Sequence, residues 1–263
     1  MKSFVLKSLL FLCITFSGAF GNVIPHRAEY SINLSDPQKS PVKDVTGTLT
    51  IEVRDTGEGW TFEQRCLVYV KTFAGNTDTF RTTIASWESK DGKYYTFTVT
   101  SSCNEQIVDC AHGHATADAQ VPGAAVYQQP ESRLISLPPG TLFPLQYLHK
   151  ILRTVTSGAV NLSNQTFFDG TNDNQEAVDV NLTITPLKPD LILNDKHLID
   201  TDKAWSLQMA FFQPGSNEID PDYELTQTIL KSGVILSMKM SMAYGEETFK
   251  TKVSLKDVTV YSP

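Results

Sequence analysis

Apolar and polar residues alternate along most of the chain, and this period of two is typical of β-strands with one buried face. Leu49, Ile51 and Val53 alternate with polar residues, and Asp91-Gly92 is a hairpin signal between two further runs. The last third has the pattern of a meander, with apolar-polar runs at residues 204–212, 223–230, 234–244 and 248–260. The pattern therefore predicts a mainly β protein with an antiparallel sheet.

One segment departs from this alternation and has the spacing of an amphipathic helix. Pro144 suits the first turn of a helix, and Ser157-Gly158 suits its end. Between them, apolar residues recur every three or four positions, at Leu145, Leu148, Ile151, Leu152 and Val155. The sequence predicts one main helix over 144–157 whose apolar stripe covers one face of a bent sheet. That inner face is then either packed shut by the helix or left open as an apolar groove.

The first residues have the features of a signal peptide. Lys2 and Lys7 give a basic start, and the apolar run 9–16 is too short to span a bilayer. Ala19-Phe20-Gly21 has the small-x-small pattern that a signal peptidase recognises, so cleavage is predicted after Gly21. Residues 22–263 contain no transmembrane segment and no linker rich in charged residues, Ser or Gly. We therefore expect residues 22–263 to form one exported, periplasmic domain.

Charge and motifs narrow the classes of function. The 22 basic and 29 acidic residues give the whole chain a formal charge of −7, and removing the two lysines of the leader makes it more negative. A negative charge argues against nucleic acid as a partner. The sequence lacks the Gly-x-Ser-x-Gly, His-Glu-x-x-His and Cys-x-x-Cys motifs, so we expect neither an enzyme nor a cofactor.

Three cysteines follow the predicted leader. A turn at residues 105–108 would place Cys103 directly opposite Cys110 in a hairpin. Because the periplasm is oxidising, we predict a Cys103–Cys110 disulfide and a free thiol at Cys66. The alternative is a metal site, since Cys110, His112 and His114 share one strand face and offer a thiolate and two imidazoles. The disulfide is the favoured interpretation because the spacing fixes no carboxylate or further ligand for a metal, and a disulfide also removes the thiolate that a metal needs.

The methionines near the C-terminus form a second unusual pattern. Met238, Met240 and Met242 alternate strictly with polar residues, as on one face of a strand. Their thioethers suit Cu(I), but a buried strand face or an adaptable lining for an apolar ligand explains the pattern without a metal. The candidate lining of a groove for a ligand or partner consists of Trp60, Phe62, Trp205, Met238, Met240 and Met242.

Five stretches carry a resemblance to a known family. They are residues 26–30 (HRAEY), 59–62 (GWTF), 137–144 (LPPGTLFP), 167–170 (FFDG) and the meander 223–258. In this order and spacing, the chain resembles the envelope integrity protein B family of alphaproteobacterial periplasmic proteins. The resemblance implies a strongly bent, spiral antiparallel sheet with one packed helix, and a role in keeping the envelope intact under stress without catalysis.

The chain departs from this family at one feature. Family members typically carry a disulfide between a cysteine just before the glycine-aromatic pair and a cysteine near the C-terminus. Here Gly57 stands near the first position, and the C-terminal strand has no cysteine. The resemblance therefore does not extend to that bridge.

Three functions fit these observations. The leading hypothesis is a non-enzymatic periplasmic protein that supports envelope integrity and stress resistance by binding another periplasmic protein or envelope component. The first alternative is a carrier of a hydrophobic ligand, such as a lipid or a lipoprotein acyl chain, in a half-closed sheet. A persistent apolar cavity would distinguish this carrier. The second alternative is a periplasmic metal-binding protein that uses the Cys/His cluster or the methionines.

Overall fold

The computed structural model describes residues 23–171, 176–187, 203–216, 218–245 and 247–261. The predicted leader, residues 1–21, and its cleavage site lie outside these residues. Within the described residues the chain forms fourteen β-strands and one α-helix. The predicted fold class, mainly β with one main helix, is confirmed.

Eight strands precede the helix and six follow it. The first eight are β1 His26–Leu34, β2 Asp44–Asp55, β3 Gly59–Lys71, β4 Thr77–Ser89, β5 Tyr94–Cys103, β6 Gln106–Thr116, β7 Gly123–Gln129 and β8 Arg133–Leu137. The helix, α1, is Pro144–Thr156. The last six are β9 Asn161–Phe167, β10 Val178–Leu187, β11 Ala204–Phe212, β12 Tyr223–Leu230, β13 Ile235–Tyr244 and β14 Glu247–Val260.

All fourteen strands belong to one sheet, in the order β8-β7-β6-β5-β4-β3-β2-β1-β14-β13-β12-β11-β10-β9. Each strand pairs antiparallel with its neighbour in the sequence where no helix intervenes, and β14 pairs with β1 to join the two halves. The sheet therefore has two terminal strands, β8 and β9, and α1 lies between them in the chain.

The sheet is strongly bent. Four strands separate β4 from β13 in the sheet order, which is about 24 Å in a flat sheet. The ring centroids of Phe80 on β4 and Tyr244 on β13 are nevertheless only 6.5 Å apart. The hydroxyl of Tyr244 also donates to Asp78 Oδ2 at 2.6 Å. Contacts this short across the sheet require it to curl around its inner face.

Helix α1 packs inside this bend. The five residues of its predicted apolar stripe are buried, as are Pro144 and Tyr147. Each large apolar side chain contributes roughly 1.5–3 kcal/mol when it is fully buried. The helix ends where Gly158 adopts a positive φ of 80°, which suits glycine at this position. The apolar stripe of α1 is thus packed against the inner face of the sheet.

Candidate functional site

The residues predicted to line a groove lie in the core instead. Five of the six are buried and Met240 is partly buried. The strand register explains why, because Met238 is paired with Gln227 on β12 and with Val253 on β14, and directly paired residues share a face. That shared face is the inner one, which is covered with apolar side chains. The methionine stripe is therefore ordinary core, and it lines neither of the two cavities described below.

The predicted Cys103–Cys110 disulfide is not formed, since Cys66, Cys103 and Cys110 are all free thiols. The β5–β6 turn consists of Asn104-Glu105, with φ values of 49° and 68°, rather than residues 105–108. This tighter turn pairs Cys103 with Gln106 and Cys110 with Thr100. The two cysteines are therefore offset by three residues, about 10 Å along the hairpin, which is too far for a bridge.

The structure does not assemble the alternative metal site either. Cys110, His112 and His114 share the outer face of β6, as strand alternation predicts. His112 Nδ1 lies 2.9 Å from Thr98 Oγ1, within hydrogen-bonding distance. Among the described residues, no three His, Cys, Asp or Glu side chains are grouped so that they could hold a metal ion.

A buried carboxylate from β4 holds the N-terminus of α1. Glu88 Oε2 accepts a hydrogen bond from the backbone N–H of Leu145 at 2.6 Å, and its Oε1 accepts one from Gln146 at 2.9 Å. The N-cap residue, Phe143, provides no side-chain cap. Glu88, which belongs to strand β4, caps the helix instead. Burial raises the pKa of Glu88 to about 8, although the two backbone donors oppose this shift.

The polar end of α1 thus fixes the helix inside the bend. Gln146 Nε2 also donates to the backbone carbonyl of Lys90, at 3.0 Å. Both contacts tie α1 to the end of β4 and to the turn that follows it. Any movement of α1 away from the inner face must break them.

A narrow apolar slot remains between α1 and strands β11 and β12. Its apolar lining includes Leu148, Ile151, Leu207, Met209 and Phe211. The volume that water-sized molecules can occupy is about 20 Å³, which is room for one or two waters. This slot is much smaller than the acyl-chain cavity that the carrier hypothesis requires.

Three polar side chains line the same slot: Tyr147, Asp169 and Gln227. Tyr147 Oη and Gln227 Nε2 are buried and have no hydrogen-bond partner among the described residues. Asp169 Oδ1 accepts hydrogen bonds from the N–H and hydroxyl of Thr171, both at 2.8 Å. Burial raises the pKa of Asp169 to about 6. The lining of the slot is therefore mainly apolar, and two of its residues have an unsatisfied polar atom.

A larger cleft runs along the terminal strand β8. It has a volume of about 410 Å³ and is lined on one side by residues 133–136 and on the other by Glu176, Ala177 and Pro214. Leu134 on the outer face of β8 is 72% exposed. Arg133 and Glu176 form a salt bridge across the cleft, at 3.6 Å. Because β8 is terminal, one of its edges has no strand neighbour among the described residues.

The other terminal strand, β9, is protected. Leu142 forms a parallel bridge with Phe167, in which its N–H donates to Thr166 O at 2.9 Å and its carbonyl accepts from Phe168 N at 3.0 Å. Asn164, with a φ of 53°, lies where the register between β9 and β10 shifts. Bulges and covering segments are common ways of blocking a sheet edge. For residues 134–137 of β8, the described part of the chain provides no comparable backbone cover.

Sequence reasoning did not single out Glu88 or Gln227, although the signal was present. Glu88 lies four positions after the apolar residue Ile84, so the two side chains point to the same, inward face of β4. Gln227 likewise stands between Leu225 and Ile229 on the inward positions of β12. A polar residue that interrupts an apolar alternation marks a side chain that needs a buried partner.

The fold and these cavities define a class: a β-barrel-like protein made of one open antiparallel sheet that curls around a helix. The EipB-like family model matches residues 17–262, so the chain belongs to the EipB-like family. Proteins of this family are in general periplasmic and envelope-associated. Within the part of the chain that the structure describes, no helix has both the length and the apolar character to span a bilayer.

Comparison with solved structures gives the same fold. The chain is similar to the crystal structure of a β-barrel-like protein with a domain of unknown function from Brucella abortus. The two have a TM-score of 0.77 and 20% sequence identity, over 91% of this chain and 99% of the other. No curated protein matches the chain significantly.

Proposed function

We propose that this protein is a non-enzymatic periplasmic protein that supports envelope integrity by docking another envelope protein at the edge of β8. Membership of the EipB-like family supports the envelope setting. The observation that carries the docking site is the cleft of about 410 Å³ beside this terminal strand. A terminal strand can offer backbone N–H and C=O groups to an added extended segment, which is a common mode of peptide recognition.

The chemistry of the cleft favours an uncharged, partly apolar segment as its occupant. The lining of the cleft contains one residue of each sign, Arg133 and Glu176, which form a salt bridge, so the lining has no net charge. The outward side chain of Leu134 gives apolar contact on one face of the added strand. Main-chain hydrogen bonds would then supply affinity, and alternate side chains would supply specificity.

Docking is preferred over the carrier function because of the space inside the sheet. Helix α1 occupies the inner face, and the residual slot has room for only one or two waters. A long acyl chain would have to displace α1 and break its contacts with Glu88. The methionines, which the carrier hypothesis takes as an adaptable lining, are part of the core.

Photocrosslinking in intact cells tests the docking site. A photoreactive amino acid is placed at Leu134 and, as a matched control, at Tyr94, which is 57% exposed on the outer face of the interior strand β5. We expect a specific envelope protein to be captured from position 134 and not from position 94. Equal capture from both positions, or capture of only a second copy of this chain, would contradict the proposal.

A further inference from the structure

The slot between α1, β11 and β12 has two features of a binding site. One end of its lining is exposed to solvent, and its buried lining includes polar side chains. Tyr223 is 38% exposed, while the other lining residues are buried, so the slot opens at Tyr223. The Tyr223 ring stacks on Phe211 with centroids 4.1 Å apart. From Tyr223, the inward positions of β12 lead to Gln227, about 13 Å further along the strand. The lining of the slot therefore extends over about 13 Å of β12.

Two polar groups inside the slot lack partners. Tyr147 and Gln227 are each only 2% exposed, and neither Tyr147 Oη nor Gln227 Nε2 has a hydrogen-bond partner among the described residues. Each unsatisfied buried group costs about 1–3 kcal/mol, so two such groups among the residues that line one slot call for an explanation. Both residues are donors here, because an amide nitrogen only donates and the phenol hydroxyl can donate. An occupant must therefore supply a hydrogen-bond acceptor.

Asp169 restricts the charge of this occupant. Its carboxyl group lines the same slot, and an anion placed beside it would meet electrostatic repulsion in a buried environment. A cation could pair with Asp169, but it has no lone pair with which to accept from Tyr147 or Gln227. A neutral oxygen satisfies the donors without a charge penalty.

We infer that this slot binds a slim, neutral amphiphile, with its oxygen at Tyr147 and Gln227 and its apolar chain directed towards Tyr223. The walls suit an alkyl chain, since Leu148, Ile151 and Leu207 are aliphatic and Met209 has a flexible, unbranched side chain. The slot is narrow, so the lining side chains must shift to admit the chain, and Met209 is the best able to do so. This inference goes beyond docking at β8 and does not depend on it.

Methionine-methyl NMR of the mature protein provides a direct test. Met209 lines the slot, whereas Met240 and Met242 do not and neither is paired with Gln227, so these two methyl groups serve as internal controls. The probes are 1-octanol, octanoate and octylammonium, which share a chain and differ in charge. We expect 1-octanol to shift the Met209 methyl signal in a saturable manner and to leave the Met240 and Met242 signals largely unchanged. Octanoate should bind at least tenfold more weakly at pH 8, because it meets the Asp169 carboxylate.

Two substitutions separate binding from folding. Gln227→Leu removes an unsatisfied donor, so it should raise the melting temperature while weakening 1-octanol binding about tenfold. Tyr147→Phe should act in the same direction. Gln208→Leu is the matched control, because Gln208 lies on β11 with its side chain on the exposed outer face. This control should leave 1-octanol binding unchanged.

Three results would overturn the inference. The first is the absence of any saturable shift of Met209 with 1-octanol, which would mean that the slot holds ordered water only. The second is equal binding of the alcohol and the two ions, since the polar groups would then play no part. The third is a Gln227→Leu variant that melts at a lower temperature and binds 1-octanol as the wild type does.

Discussion

The buried carboxylate beneath α1 yields the most quantitative prediction. Glu88→Gln keeps the size of the side chain and one carbonyl oxygen, so one of the two backbone N–H groups, of Leu145 and Gln146, still has an acceptor. At acidic pH the wild-type carboxyl group is protonated, yet its hydroxyl oxygen can still accept from the other N–H, whereas the new amide NH₂ cannot. Leaving a buried donor unsatisfied costs about 1–3 kcal/mol. Glu88→Gln should therefore lower the free energy of unfolding by about that amount at acidic pH.

The pH dependence of this loss has a definite sign. Glu88 has a pKa near 4.5 when unfolded and about 8 when folded, because burial disfavours its charged form. Between these values the folded state binds more protons than the unfolded state, so rising pH destabilises the wild-type fold. The complete shift corresponds to at most roughly 5 kcal/mol, since one pKa unit is about 1.4 kcal/mol. Glu88→Gln removes this dependence.

Urea unfolding at pH 5, 6.5 and 8, followed by tryptophan fluorescence, measures the effect. Trp60 is paired with Glu88 across β3 and β4 and is a nearby reporter. Asp169 titrates in the same direction, whereas His26 and His149, whose pKa values are lowered to about 4, act in the opposite direction below pH 6.5. These groups remain in the variant, so the difference between the two proteins isolates Glu88. A stability advantage of the wild type that stays constant or grows from pH 5 to pH 8 would refute the reasoning.

Three further predictions follow from the core and the cysteines. Leu148→Asp buries a carboxylate against the sheet and should cost more than about 4 kcal/mol, so thermal melting should show a largely unfolded protein. Met240→Asp, on a partly buried core position, should cost roughly 1–3 kcal/mol; a variant that melts like the wild type but loses function would instead make the methionine stripe a groove. Alkylation without reduction, followed by mass spectrometry, should modify Cys103 and Cys110 and spare the buried Cys66, whose pKa burial raises to about 12. A Cys103–Cys110 crosslink in that spectrum would contradict the strand register.

The fold could be predicted because the sequence patterns that indicate strands and helices are local and periodic. Alternation of apolar residues locates the strands, and spacing by three and four locates the helix, which begins at Pro144 as predicted. The β5–β6 turn was placed wrongly because Asn104-Glu105 lacks the glycine that usually marks a two-residue turn. That shift of one or two positions was sufficient to separate Cys103 from Cys110.

The candidate sites were less predictable because they depend on contacts between distant parts of the chain. Glu88 and the N-terminus of α1 are 57 residues apart, and the sequence gives no spacing that joins them. The slot combines residues of α1, β9, β11 and β12, so its existence depends on the bend of the sheet. Even the identity of the terminal strands follows from the pairing of β14 with β1, which is a long-range contact.

Survival of cells under envelope stress tests the central claim, docking at the β8 edge, most directly. A strain that lacks this protein is complemented with the wild type, Leu134→Lys or the control Tyr94→Lys, and is challenged with a membrane-active detergent. Both substitutions are at exposed positions, so both variants should keep the wild-type melting temperature and abundance. A lysine on a strand edge discourages the addition of another strand. We expect Leu134→Lys to fail to restore survival and Tyr94→Lys to restore it; full restoration by Leu134→Lys would contradict docking at β8.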